Sequence, residues 1–172
     1  MPSFTESNIT LTFPDSNFFR FADCDGYKTL SGHHFKEMDF CWHETVTGFY
    51  WLIELKDYSS AALSAQGTIE KKVWDIVKKA VDSLTMFIAS KHGYPYATTN
   101  LDPCFPIAPA VAGEFKFVTI VHCDPSQKPD VQLMHNSFRQ KFKPYAQLFG
   151  IKHYAIMEHS QAILKLPTNI VT

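Results

Sequence analysis

Residues 36–58, KEMDFCWHETVTGFYWLIELKDY, decide the fold class. In residues 36–43, Met38, Phe40 and Trp42 alternate with Glu37, Asp39 and Cys41. In residues 49–58, Trp51, Ile53 and Leu55 alternate with Leu52, Glu54 and Lys56. Successive side chains leave a strand on opposite sides, so each segment predicts a half-buried strand. Residues 45–48 (TVTG) make a short loop between them. Pairing Glu44 with Phe49 across that loop sets Phe40 opposite Ile53 and Trp42 opposite Trp51, which gives one consistent apolar face. The same register sets Asp39 opposite Glu54 and Glu37 opposite Lys56 on the other face.

Working outward, residues 9–13 (ITLTF) and 17–21 (NFFRF) are β-rich runs around Pro14-Asp15-Ser16 and predict an opening hairpin. Cys24-Asp25-Gly26 reads as a turn and residues 31–34 as a loop. From Thr68, the expected N-cap, to about residue 91, Ile69, Val73, Ile76, Val77, Ala80, Leu84 and Ile88 recur at helical spacing, and Gly93 supplies a stop. Residues 94–113 contain Pro95, Pro103, Pro106 and Pro109 and read as a long ordered loop. Residues 115–122 (FKFVTIVH) form a buried strand ended by Asp124-Pro125. A helix is expected over about 130–149, ended or kinked by Pro144, and strands over 152–157 and 161–166, or one strand interrupted near His159. The expected fold class is α/β, a central mixed sheet flanked by helices, with residues 1–172 as one domain. Its core should join Trp42, Trp51 and Ile53 to Val73, Ile76, Val77 and residues 117–121 in one cluster.

The composition bounds the function. A chain of 172 residues with 45% hydrophobic and 19% charged residues can close one core without staples. A net charge of −1 leaves any nucleic-acid contact to a local basic face. Cys24, Cys41, Cys104 and Cys123 show no CxxC spacing and read as reduced thiols. No stretch approaches membrane-spanning length and the first residues lack a signal-peptide pattern, so the expected location is cytoplasmic, without membrane association. The oligomeric state stays open, a homodimer being plausible.

Asp39 opposite Glu54 is an electrostatic conflict that a divalent cation would offset. Mg²⁺ or Mn²⁺ takes one or two carboxylates and completes its octahedron with waters and substrate phosphates. Lys56 could then orient a water or stabilise charge developing on phosphorus. Asp39, followed fifteen positions later by Glu54-Leu55-Lys56, resembles the PD-(D/E)xK phosphodiesterase superfamily of restriction-endonuclease-like nucleases. The resemblance implies that Asp39 and Glu54 bind Mg²⁺ (or Mn²⁺), that Asp39, Glu54 and Lys56 are catalytic, and that a following helix and strand complete a mixed sheet. Met38 stands where the motif name has proline. The chain opens on strands and loops where a helix often supplies a further glutamate, which leaves Glu37, Asp23 and Asp25 as candidates for another metal ligand.

Lys71-Lys72 and Lys78-Lys79 lie seven residues apart, on nearly one side of the expected helix, and are the candidate nucleic-acid contacts; Arg139, Lys141 and Lys143 form a second basic cluster. Neither His33-His34 nor His122-Cys123-Asp124 has zinc-site spacing. The competing reading of residues 36–58 is a solvated sheet face on which Glu37 and Lys56 form an ordinary cross-strand ion pair. The chain would then be a non-catalytic protein-binding or assembly domain.

Overall fold

The computed structural model describes residues 1–60, 63, 67–105, 114–167 and 170–172. A two-stranded hairpin, β1 (Ser3–Glu6) and β2 (Ile9–Thr12), opens the chain. Its turn is Ser7-Asn8, both at positive φ, the geometry that matches the twist of paired strands. The expected partner, residues 17–21, instead contributes β3 (Phe18–Phe19) to the main sheet. Cys24-Asp25-Gly26 opens the helix α1 (Asp25–Ser31) rather than a turn.

The five-stranded sheet runs β3-β4-β5-β6-β7. Strand β4 (Phe40–Glu44) is antiparallel to both β3 and β5 (Phe49–Asp57). Strands β5, β6 (Phe115–His122) and β7 (His153–Glu158) are parallel. The helix α2 (Thr68–Lys91) and the short α3 (Pro95–Asn100) lie between β5 and β6, and α4 (Lys128–Leu148) connects β6 to β7, as parallel pairing requires. Gly67, at φ 77°, is the N-cap of α2, one residue before the expected Thr68. Pro144 sits inside α4 without ending it. Part of the expected loop over 94–113 is helical in α3; residues 106–113 lie outside the described residues. Residues 161–166, expected as a strand, fall largely in α5 (His159–Lys165).

The hairpin register is the expected one: Phe40 pairs with Ile53, Trp42 with Trp51 and Glu44 with Phe49. The strand does not begin at Lys36, however. The backbone N–H of Lys36 donates to Asp82 Oδ2 and that of Met38 to Ser83 Oγ, both on α2, and Asp39 Oδ2 accepts the Leu55 N–H at 2.8 Å. Side chains therefore satisfy the groups that a longer ladder would have used. Met38 consequently packs on the helix side and not with Phe40 and Trp42.

Both sheet faces are covered, so the strands are buried on two sides and the expected half-buried pattern does not hold. Leu52, Phe117 and Val121 pack against Val73, Ile76 and Val77 of α2 and Phe138 and Phe142 of α4. Trp42, Trp51, Ile53, Val118 and Ile120 pack on the opposite side against Ile9, Leu11 and Phe13 of the hairpin, Ala162 of α5 and Val171. The expected single core is two cores divided by the sheet. Cys24 and Cys104 form a disulfide, so only Cys41 and Cys123 carry the free thiols expected of all four. Among the described residues no helix is long and apolar enough to cross a membrane.

Candidate functional site

Strand parity places Leu52, Glu54 and Lys56 on the face that α2 covers, so Glu54 is fully buried. Asp39, at the bend before β4, lies beside it by continuation of the ladder register, its side chain 12% exposed. A buried carboxylate costs several kcal/mol unless it is paired. Two lysines meet this need. Lys79 Nζ of α2 lies 2.6 Å from Glu54 Oε1 and 3.4 Å from Asp39 Oδ1, and Lys56 Nζ contacts the same Glu54 oxygen. Both ammonium groups meet Glu54 at Oε1. Glu54 Oε2, equally buried, meets no hydrogen-bond donor among the described residues.

Burial, with the Asp39 charge adding to it, pushes the Glu54 carboxyl up to about 7 against the pull of Lys56 and Lys79. Burial acts to lower Lys79, but the charges of Glu54 and Asp39 outweigh it and hold the ammonium protonated above its usual range. Burial, with the charges of Glu54 and Asp75, raises the Tyr58 hydroxyl.

Beside this cluster opens a pocket of about 240 Å³ lined by Lys36, Lys56, Tyr58, Lys72, Asp75, Ile76 and Lys79. Positions 72, 75, 76 and 79 form one stripe of α2 at i, i+3, i+4 and i+7, which is why one helix face supplies so much of the lining. Lys72 Nζ sits 4.1 Å over the Tyr58 ring, and Lys36 Nζ pairs with Asp75 at 2.9 Å.

Of the candidate nucleic-acid contacts, Lys72 and Lys79 thus reach this pocket, Lys71 is exposed elsewhere on α2, and Lys78 pairs with Asp82 at 2.7 Å. The solvated-face reading fails, because Glu54 is buried and Lys56 pairs with it rather than with Glu37. Asp23 and Asp25 are exposed and outside the site, Asp25 pairing with Lys28. Glu37 accepts a hydrogen bond from Tyr27 Oη; burial raises its carboxyl, with the Asp39 charge adding to it, and Lys79 and Lys56 oppose. Among the described residues no group of three or more His, Cys, Asp or Glu is gathered as a metal cage.

Sequence reasoning placed Lys79 on an outer phosphate track and did not single out Tyr58 or Lys36. The available signal was the position of Lys79, three residues after Ile76 and beside Ala80 on a helix face that must meet the sheet. Compared with known proteins, the chain matches no family model, no curated protein and no solved structure.

Proposed function

We propose that the chain is a restriction-endonuclease-like phosphodiesterase of the PD-(D/E)xK type that cleaves nucleic acid with Mg²⁺ or Mn²⁺. The observation that carries this reading is the convergence of Asp39, Glu54 and Lys56 at one site beside a lysine-lined pocket. The order of pairing also supports it: an antiparallel hairpin carries the three residues, then a helix leads to a parallel strand beside it.

The donor set fits a hard divalent cation. Glu54 Oε2 is buried without a donor among the described residues, and Asp39 Oδ1 accepts from Lys79 Nζ at 3.4 Å while the Leu55 N–H takes Oδ2. Asp39 and Glu54 would hold the ion, which when bound supplies Lewis acidity toward a phosphoryl oxygen and lowers the pKa of a coordinated water. The Lys56 side chain, in contact with Glu54, would set a positive charge against that developing on phosphorus. Lys36, Lys72 and Lys79 give the pocket a positive lining suited to a phosphate.

Titration calorimetry with Mn²⁺, paired with cleavage of end-labelled DNA and RNA, tests the assignment. Asp39→Asn and Glu54→Gln should abolish both metal binding and cleavage. Lys56→Ala should retain metal binding while turnover falls by an amount of order 2–4 kcal/mol in barrier height. A wild-type protein that neither binds millimolar Mn²⁺ nor cleaves either polymer would return the chain to the reading of a non-catalytic binding domain.

A further inference from the structure

A second basic concavity lies on the opposite side of the sheet. Its floor is the row Trp51–Lys116–His153 with Val118 and Ala155 of the next row, whose side chains face away from α2, and it is continued by Met157. Leu166 and Lys165 at the end of α5 form one wall, and His135 and Arg139 of α4 reach round the edge strand to form the other. The enclosed volume is about 350 Å³.

Charge is the first unusual feature. Lys116, Arg139, Lys152 and Lys165 line the concavity together with two histidines, and no carboxylate lines it, although the chain carries a net charge of −1. The described residues include every ionisable side chain of the sequence. Lys116 and Lys165 form no ion pair. Lys116 Nζ rests instead 3.6 Å over Phe49 and 4.4 Å over Trp51, with Glu44 and Glu114 acting on it only at longer range. Lys152 pairs with Glu114 at an exposed position, a pairing worth little.

The second feature restricts the occupant. Outward carbonyls of β7 are already engaged, Tyr154 O accepting from Arg139 at 3.2 Å and Ile156 O bonded by His135 at 2.9 Å. An added peptide strand would have to displace these bonds. A phosphate ion alone would leave unused the apolar atoms that Trp51, Val118, Met157 and Leu166 contribute to the lining. An anion joined to a flat apolar ring uses both parts, and the volume lies at the lower end of small-ligand sites.

We infer that this concavity is a nucleotide-binding site, taking the base on the Trp51–Val118–Met157 floor and the phosphate among Lys116, Lys152 and Lys165. It is separate from the Asp39–Glu54 cluster and does not depend on the function proposed for it. The nucleotide can be free or the end of a strand, and the test distinguishes the two. Amide and indole NMR spectra are recorded in EDTA with AMP, and separately with a 5′-phosphorylated ten-residue oligothymidylate, on wild type, Glu54→Gln, Lys165→Glu and Lys116→Glu. Perturbed signals should belong to Trp51, Lys116, Ala155 and Lys165. Binding should weaken at least about tenfold in Lys165→Glu, whose exposed side chain has no role in the core, and in Lys116→Glu, and should be unchanged in Glu54→Gln. Binding of both probes assigns a free nucleotide; binding of the oligonucleotide alone assigns a strand end. Failure of both to bind, perturbations confined to Lys36, Tyr58 and Lys72, or equal affinity in Lys165→Glu would overturn the proposal.

Discussion

Lys79 Nζ stands 2.6 Å from Glu54 Oε1 and 3.4 Å from Asp39 Oδ1, so one ammonium spans two carboxylates that the hairpin register sets side by side. The repulsion anticipated between Asp39 and Glu54 is offset from within the chain, by a helix that begins eleven residues after β5 ends. This arrangement lets the fold bury both acids whether or not a cation is added, and it makes Lys79 a competitor for the space between them.

Lys79→Met therefore has two opposed effects. It leaves Glu54 buried with only Lys56 as a countercharge, and breaking a buried pair costs on the order of 3 kcal/mol while the carboxylate is ionised, so chemical denaturation should show a loss that grows toward this size as pH rises above about 7 and shrinks below it as Glu54 takes up a proton. It also vacates the space between the carboxylates, so Mn²⁺ should bind the variant more tightly and restore much of the lost stability by mass action. A variant as stable as wild type, with unaltered Mn²⁺ affinity, would contradict the bridging role.

The hairpin was legible in the sequence because loop length and apolar pairing fix a register that a one-residue slip would reverse. Less legible were features settled by distant partners. Asp82 and Ser83, more than forty residues from Lys36 and Met38, claim the N–H groups that would have extended β4, and no local pattern announces this. The opening hairpin lies one strand earlier than its local pattern suggests, because the positive-φ pair Ser7-Asn8, and not the more conspicuous Pro14-Asp15-Ser16, forms the hairpin turn. Residues 161–166 form a short apolar run whose type periodicity cannot fix; in α5 only Ala162 is buried, while Ile163 and Leu164 remain exposed. At the candidate site, residue types singled out Asp39, Glu54 and Lys56, whereas the contact of Lys79 with two of them depends on how α2 docks on the sheet.

Gly26 supplies a packing test. A Cβ built there would lie 2.2 Å from the backbone oxygen of Asn100, so α1 and α3 approach as closely as they do only because position 26 has no side chain. Gly26→Ala should force the two helices apart and lower stability by about 1–3 kcal/mol, read from urea midpoints. Gly32→Ala, where the nearest atom is 3.3 Å away, should cost less.

The Cys24–Cys104 bond closes a loop across 80 residues of sequence separation and ties the start of α1 to the segment after α3. Constraining so long a loop in the unfolded chain is worth up to about 4.5 kcal/mol in the chain-entropy account. Dithiothreitol should lower the melting temperature of the wild type and leave Cys104→Ser unchanged. Equal melting curves with and without reductant for the oxidised wild type would remove the bond from the stability argument.

Glu54 also gives the protein a pH dependence of definite sign. In the unfolded chain its carboxyl titrates near the ordinary value of 4.5, whereas in the fold it is pushed up to about 7, first by burial and then by Asp39. Between these values the native state holds a proton that the unfolded chain has released. Stability therefore falls as pH rises. The contribution is fully present below about 4.5 and is lost as pH rises through about 7, in total on the order of 3 kcal/mol. Glu37, also raised by burial, acts in the same direction, so the wild-type slope belongs to both groups and single variants must separate them. Glu54→Gln cannot titrate, and its stability relative to wild type should increase as pH is raised across this window, while Glu37→Gln should retain the Glu54 part of the slope. In Lys79→Met the carboxyl loses a cation that favours its charged form, so the end of the wild-type decline should move to higher pH. Urea unfolding of all four proteins at half-unit steps from pH 4.5 to 8 measures these differences directly. Parallel curves for wild type and Glu54→Gln would mean that Glu54 is ionised throughout, and that Lys56 and Lys79 together overcome its burial.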